Sequence, residues 1–361
     1  MSAVVTPNQA HFNEHDKDGG GQDRLIAATE LIAAPPVVPP NIFPIEWRLE
    51  TPKLAEIYDR AKREGFNPAD LPWEALDPSA FTAEERVAMM YWWALLANFD
   101  ASGPAVFARA MIRAFEVHEE DPVRKCFFSI TRDETNHEEC CQRAIQLLVP
   151  HGPLGFEPHS ELERAAINNI QWLYHNGGRY WSGFNRAVDR YPLAVLFTSF
   201  MLGEVASSSL FHGMARGTRH PVFEQIFRSI GRDESRHLQI CVTLLEKEWP
   251  GLNDEYRAFV TKQLRAGFVF LSMVLWEPPT HQFWELPEYF LQNHRVLLNI
   301  ARDAGLGLPS TSEQEDNWRL AIARVRKLLE RWNIEFPAIP ELNIDGIGVG
   351  DISDADIIPV F

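Results

Sequence analysis

The stretch FFSITRDETNHEECC at residues 127–141 reads almost the same as FRSIGRDESRHLQIC at residues 227–241. Eight of the fifteen aligned positions are identical, and each copy contains a Glu-x-x-His. Residues three apart lie on the same face of an α-helix, so each copy directs a carboxylate and an imidazole the same way. One Glu-x-x-His is common by chance, but two in a shared Arg-Asp-Glu-x-x-His frame are not. The repeat therefore predicts two helices that face one another.

Such a pair of helices would bring together the side chains of Glu134, His137, Glu234 and His237. In four-helix bundles this is most of the ligand set of a carboxylate-bridged di-iron centre, to which each of the other two helices adds one carboxylate. The sequence must then supply two more inward-facing acids at a comparable depth.

Glu204 and Asp100 are the candidates for these two acids. Glu204 is the only acid between Asp189 and Glu224, and it lies in an apolar helical segment where an unpaired charge would be costly. Asp100 is the only acid in the middle of the helix predicted before the first copy. Each acid precedes its Glu-x-x-His by about one helix and a turn. If the two helices of each pair are antiparallel neighbours, the acid and the motif lie at similar heights along the bundle.

Each assignment has an alternative. The two motif glutamates could be exposed residues paired with arginine, and the two histidines could be core residues with satisfied hydrogen bonds. Asp100 could be an N-cap at a kink expected before Pro104, because proline interrupts a helix. Cys141 and Cys241, each four residues after a motif histidine, could be inert core residues.

Composition narrows the class of protein. The chain has 361 residues, of which 45% are hydrophobic and 23% charged, and a net charge of −16. Nucleic acid is therefore not an expected partner, because binding it requires a basic surface. No apolar run reaches the length of a membrane span, and no secretory signal is visible. Four cysteines are too few for a disulfide framework, so we expect a cytoplasmic location.

The expected architecture is all-α, since no alternation of strands and helices is visible. Helices are predicted at 82–118, 121–148, 192–216 and 221–248, with an intervening helix at 160–189 that breaks at Gly177 and Gly178. The expected regions are a mobile Pro/Gly-rich arm at 1–45, an entry segment at 46–81, a four-helix bundle at 82–250, a helical annex of the same domain at 251–335 and an irregular tail at 336–361.

The order Asp100, Glu134-x-x-His137, Glu204, Glu234-x-x-His237 resembles the ribonucleotide-reductase-like branch of the ferritin-like di-iron superfamily. The resemblance covers roughly residues 82–248. That branch contains multicomponent monooxygenase hydroxylases, arylamine N-oxygenases, soluble acyl-carrier-protein desaturases and reductase small subunits. The resemblance implies an all-α, ferritin-like four-helix bundle with a di-iron core and flanking helices.

The resemblance also implies roles for individual residues. The six named residues would bind two iron ions, with manganese as a possible replacement, and Glu134 and Glu234 would bridge them. Asp133 and Asp233 match family acids that accept a hydrogen bond from the ligand histidine of the opposite helix, which fixes the imidazole tautomer. Ser208, one turn beyond the ligand on the third helix, matches a hydroxyl residue of oxygen-activating members. Its alternative is a serine that relieves helix crowding.

Departures from each subfamily refine the expected function. A radical tyrosine of reductase subunits is replaced by Cys141, and an extra histidine ligand of arylamine oxygenases is replaced by Ile230. We therefore expect an O2-dependent monooxygenase that acts on carbon or nitrogen of a small organic substrate and takes electrons from an external donor. The alternatives are a soluble desaturase with a carrier-bound acyl substrate and a non-catalytic iron-binding helical protein.

A homodimer is expected through the first two bundle helices. Relatives in this branch commonly pair there, and the segment at 89–96 is apolar around nearly its whole circumference. The alternative is that the C-terminal helices cover this segment within a monomer.

Overall fold

The computed structural model describes residues 42–43, 45–152, 157–260, 264, 286–334 and 336, which lie within one compact unit, Asn41–Phe361. These residues form α-helices, short 3-10 turns and loops, with no β-strand among them. The all-α prediction is confirmed. Most of the expected arm at 1–45, residues 261–263 and 265–285 of the annex, and nearly all of the tail at 336–361 lie outside the described residues.

The described α-helices are α1 (Pro52–Glu64), α2 (Ala83–Asp100), α3 (Ser102–Glu116), α4 (Asp121–Leu148), α5 (Glu161–Ala187), α6 (Leu193–Gly217), α7 (Pro221–Glu248), α8 (Glu288–Asp303) and α9 (Thr311–Glu330). A bundle is formed by α2 with its continuation α3, by α4, by α6 and by α7. The most extensive contacts join α6 to α7, and α4 packs along both α2 and α3. None of the described helices combines the length and the apolarity that crossing a bilayer would require.

Local sequence sets where the bundle helices begin. Thr82 accepts the N–H of Glu85, and the Glu85 carboxylate accepts the N–H of Thr82 at 2.8 Å, which is the predicted capping box of α2. Both α4 and α7 begin with a proline in the first turn, where a missing N–H has no consequence. Local sequence therefore determines where α4 and α7, which carry the repeat, and the neighbouring helix α2 begin.

Of the two helix breaks predicted from the sequence, one lies at a different residue and the other is absent. The predicted kink at Pro104 is a break at Ala101, between α2 and α3. A proline ring clashes with the carbonyl four residues earlier, which here belongs to Asp100, so the interruption falls upstream of the proline. The predicted break at Gly177 and Gly178 is wrong, because α5 is continuous. A Cβ atom at Gly177 would lie 2.7 Å from Asn98 Oδ1, so this glycine allows α5 to approach α2.

The apolar helix α2 is covered within the chain. Every residue from Val87 to Ala97 is buried. Its neighbours are α4, α5 and the C-terminal helix α8. Helices of the same chain therefore bury α2, as the monomer alternative predicted. The apolar surface of α2 is no longer an argument for a second subunit.

Candidate metal centre

Six side chains predicted as ligands meet in the middle of the bundle. Asp100 is the last residue of α2, Glu204 lies on α6, and α4 and α7 each contribute one Glu-x-x-His. All six are buried, and none is more than 7% exposed. The set is Asp100, Glu134, His137, Glu204, Glu234 and His237.

The two glutamates of the repeat lie between the two imidazoles. His137 Nδ1 is 3.8 Å from a Glu134 oxygen and 3.7 Å from a Glu234 oxygen. His237 Nδ1 is 3.3 Å and 3.4 Å from the other oxygens of the same two carboxylates, and 3.9 Å from Glu204. The ring centroids of the two histidines are 6.2 Å apart. Each glutamate can therefore reach towards both halves of the centre.

The donor atoms form two groups that share one carboxylate. One group contains Glu134, Glu204, Glu234 and His237, and the other contains Asp100, Glu134 and His137. Within each group the ligand atoms lie within 4.8 Å of one another. Neither Nδ1 atom of the two histidines has a hydrogen-bond partner in the described part of the chain, although both are fully buried. Convergent buried donors that do not bond to one another fit a pair of cations.

The outer nitrogen of each imidazole faces an aspartate from the opposite motif. His137 Nε2 lies 3.3 Å from Asp233, and His237 Nε2 lies 3.5 Å from Asp133. The structure thus brings Asp133 and Asp233 next to the residues predicted to use them. A carboxylate in this position keeps Nδ1 available as the ligand atom.

Arg236 connects the two aspartates. Its guanidinium is 2% exposed and donates to Asp133 at 3.1 Å and to Asp233, while Glu64 of α1 lies 3.4 Å away. The sequence analysis missed this residue, although it stands inside the second copy of the repeat. The arginine directly before His237 was the available signal, but its inward position could not be read from the sequence, because the equivalent Asn136 bonds the Phe66 carbonyl instead.

Burial and hydrogen bonding move the pKa values in opposite directions. Burial among other carboxylates raises the pKa of Asp100 and Glu204 well above the usual range. Burial also opposes ionisation of Glu134, but its electrostatic interaction with the two nearby imidazoles outweighs burial and lowers the pKa of Glu134 to about 2. Burial would lower the pKa of both histidines, yet the surrounding carboxylates raise it well above 6.5. Without bound cations, Asp100, Glu204 and the two imidazoles would therefore hold protons more tightly than exposed groups do.

The other predicted residues have clear positions. Ser208 is buried on α6, and its hydroxyl lies 2.9 Å from that of Ser235 and 3.4 Å from the Gly231 carbonyl. These bonds join α6 to α7, which favours the packing alternative for Ser208. Cys141 is buried, and its thiol donates to Asp100 over 3.6 Å, whereas Cys241 is a buried core residue of α7.

A glycine that the sequence analysis did not select borders the centre. A Cβ atom at Gly103 on α3 would lie 2.7 Å from Glu134 Oε2. No larger residue fits beside the Glu134 carboxylate in its present position. Its place directly after the α2–α3 break could not be read from the sequence, because that break was expected three residues later.

A cleft of about 700 Å³ lies between α4, α5 and the α2–α3 junction, and none of the six predicted ligands is among its lining residues. Ala101 and Ser102 in its wall follow Asp100, and Glu138 follows His137. The wall mixes apolar groups with amides and one acid, and none of its side chains that the structure describes is Lys or Arg. Its lining includes Ala97, Asn98, Ala105, Gln142, Ile145, Gln146, His151, Tyr174 and Trp181.

Comparisons with known proteins give a match at the level of structure. No family model and no curated protein sequence matches the chain. The solved structures that are similar include a variant of an R2-like ligand-binding oxidase with an aerobically reconstituted Mn/Fe cofactor. This structure is 15% identical, with a TM-score of 0.53 over 78% of this chain and 93% of the other.

A second variant of such an oxidase, also with a reconstituted Mn/Fe cofactor, is 16% identical, with a TM-score of 0.55 over 77% of this chain and 93% of that one. At this level of identity the likeness concerns the fold. The chain therefore has the ferritin-like helical fold of the R2-like ligand-binding oxidases.

Proposed function

We propose that the chain is an O2-dependent non-heme di-metal oxidoreductase, and that it acts as a monooxygenase on carbon or nitrogen of a small organic substrate. The observation that carries the proposal is the pair of buried donor groups that share Glu134. Two carboxylate-bridged metal ions at the centre of a helical bundle are the known chemical use of this arrangement.

The proposed cofactor is a pair of iron ions, or one manganese and one iron. Four carboxylates and two imidazoles are the donors, and no thiolate takes part, which suits iron or manganese better than zinc or copper. The similar oxidases contain an aerobically reconstituted Mn/Fe cofactor. The proposed ligands are Asp100, Glu134, His137, Glu204, Glu234 and His237.

When bound, such ions would carry out the redox chemistry, in which O2 is reduced and the substrate is oxidised. The protein's own part is to orient the donors and to keep water out. Asp133, Asp233 and Arg236 hold the two imidazoles in place. Phe107 packs 6.4 Å from the His237 ring and 5.4 Å from Phe197, which forms a dry wall on one side. Electrons are proposed to come from an external donor.

The cleft beside Asp100 is the proposed substrate site. It is wide enough for a small organic molecule. Its wall carries Glu138 and amide groups but no described cationic side chain, whereas a carrier-bound acyl chain would require a basic rim for its phosphate. This observation favours a small neutral or cationic substrate over the acyl substrate of a desaturase.

Metal analysis tests the ligand assignment. Protein produced with iron should contain close to two metal ions per chain, because two donor groups are present. We expect Glu204→Ala and His237→Ala to lose metal. Glu224→Ala is the matched control, since Glu224 pairs with Arg228 on the surface of α7. Full metal retention in both centre variants would contradict the assignment.

O2 consumption separates an oxygenase from an iron-binding structural protein. The reduced, iron-containing chain should consume O2 and transfer oxygen to a small organic probe such as an arylamine or a phenol. Isotopically labelled O2 with mass spectrometry of the product is the measurement. Oxidation of iron without any oxygenated product, or uptake of many irons per chain, would instead support storage.

Assembly and location remain proposals. A homodimer through α3 and α4 is supported by Ile112 and Phe128, which are 46% and 52% exposed. Light scattering at micromolar concentration tests it, because a monomer would have a mass near 41.3 kDa. A cytoplasmic location is supported by the four cysteines, which are all buried and free of disulfide bonds.

A further inference from the structure

Two histidines and a buried glutamate form a second cluster of metal-ligand side chains, separate from the six residues of the central site. His151 follows the C-terminal end of α4, His159 directly precedes the N-cap of α5, and Glu163 lies in the first turn of α5. One potential ligand atom from each lies within 4.8 Å of the other two. Nothing in the proposed oxidation chemistry uses these residues.

The carboxylate of this cluster is held in place by the protein. Glu163 is 2% exposed, and one oxygen contacts His151 Nε2 while the other accepts the backbone N–H of His159 at 2.8 Å. The two imidazole rings are stacked, with centroids 4.0 Å apart and an interplanar angle of 18°. In the described part of the chain, no hydrogen bond to the His159 ring is present. The cluster therefore offers a fixed carboxylate, a fixed imidazole and an adjustable imidazole.

We propose that His151, His159 and Glu163 bind a divalent transition-metal ion of the Zn²⁺ type. Two imidazoles and one carboxylate are the protein ligands of three-ligand zinc sites, in which water completes the coordination. This set is richer in nitrogen than the carboxylate-rich central site, so it prefers the later first-row metals. His159 is exposed, and one of its ring nitrogens already lies within 4.8 Å of the other two ligand atoms.

An ion at this position ties together two walls of the cleft. His151 and Gly152 line the cleft, as do Gln142 of α4 and Tyr174 of α5. Only residues 152–158 separate the two histidines along the chain. A metal ion between them links the end of α4 to the start of α5 and fixes the rim beside the proposed substrate site.

Binding of Co²⁺ to the full chain tests the site. Co²⁺ replaces Zn²⁺ in such sites and absorbs visible light according to its ligands. We expect the wild-type chain to bind one more Co²⁺ per chain than His159→Ala, or to bind that ion at least about ten-fold more tightly. The extra ion should be displaced by Zn²⁺. Because both proteins share the same central site, the difference between them does not depend on what that site binds.

The matched control is His175→Ala. This exposed histidine lies on the same helix, against the Trp172 ring at 5.9 Å, and takes no part in the cluster. It should bind Co²⁺ as the wild type does. His151→Ala is a second variant that should also lose the ion, and circular dichroism should show unchanged helix content in all three variants.

Two outcomes would overturn the proposal. The first is a wild-type chain that binds no more Co²⁺ than His159→Ala at millimolar concentrations of the metal. The second is an extra ion that persists in both His151→Ala and His159→Ala. Either result would mean that the three residues form a hydrogen-bonded cluster that binds no metal ion.

Discussion

The two copies of the repeat contribute the same proposed ligands but differ in the contacts that support them. On α4 the residue before the histidine is Asn136, and on α7 it is Arg236. Asn136 donates to the Phe66 carbonyl at 2.9 Å and so attaches α4 to the loop after α1. Arg236 turns inward and reaches the aspartates of both copies. A near-identical sequence therefore does not imply an equivalent structural role, because one cation on α7 serves both halves of the centre.

The largest difference between the copies should be in stability. Arg236→Met removes the buried cation and leaves Asp133 and Asp233 without it, which we expect to lower the free energy of unfolding by about 3–5 kcal/mol. Asn136→Ala removes one hydrogen bond at the edge of the core and should lower it by about 1 kcal/mol. Urea denaturation of the metal-free proteins measures both. Equal losses in the two variants would show that Arg236 does not serve both copies.

The pH dependence of metal binding tests whether both copies hold a proton. The pKa values of His137 and His237 are raised above 6.5, so both imidazoles carry an extra proton in the metal-free protein at and below neutral pH. A ligand histidine must be neutral, so metal affinity should fall as pH decreases, by up to about a hundred-fold per pH unit for two protons. Calorimetry in buffers of different ionisation enthalpy counts the protons released. Release of no proton near pH 6 would be incompatible with these pKa directions.

Asp133→Asn and Asp233→Asn test the symmetry of the outer contacts. Each change replaces a carboxylate opposite an imidazole Nε2 by a neutral amide, and we expect a loss of metal affinity of about 10–100-fold. The two losses should be similar, because each aspartate faces one histidine and both contact Arg236. Competition with a chelator of known affinity is the measurement, and a large effect in only one variant would assign the support to one copy.

The smallest expected effect on metal affinity distinguishes Gly103, beside the first copy, from Gly231, within the second copy. Gly103→Ala places a Cβ atom 2.7 Å from the Glu134 carboxylate, so that ligand must shift, and we expect metal affinity to fall on the order of ten-fold. Gly231→Ala is the matched change, because its Cβ atom would lie 3.0 Å from the His212 ring and 3.3 Å from Phe211, neither of which is a proposed ligand. It should leave metal affinity unchanged, and an equal loss at both positions would remove the special role of Gly103.

Much of the helical architecture could be predicted from the sequence because its signals are local. The capping box at Thr82 and the prolines at the starts of α4 and α7 fix helix boundaries within a few residues. The meeting of Asp100 and Glu204 with the repeat could also be predicted, since isolated acids on apolar helix faces have few other uses. These signals act within one helix or between antiparallel neighbours.

The remaining features depend on contacts between helices that no local pattern records. The continuity of α5 through Gly177 depends on Asn98 of α2, and the inward turn of Arg236 depends on an aspartate of α4. The cluster of His151, His159 and Glu163 forms because the end of α4 lies close to the start of α5, and no local sequence pattern predicts that proximity.

The surplus of acids at the centre links folding to metal supply. Six buried carboxyl groups outnumber the cationic groups around them, which are two imidazoles and the guanidinium groups of Arg132, Arg232 and Arg236. Without bound metal, the chain must retain protons or carry unbalanced charge in its core. Ions that bind only the folded state would relieve this imbalance and shift the unfolding equilibrium. Proteases and chaperones act on the unfolded fraction, so chains made during iron scarcity would be cleared faster. The amount of this protein in a cell would then follow metal availability without any dedicated regulator.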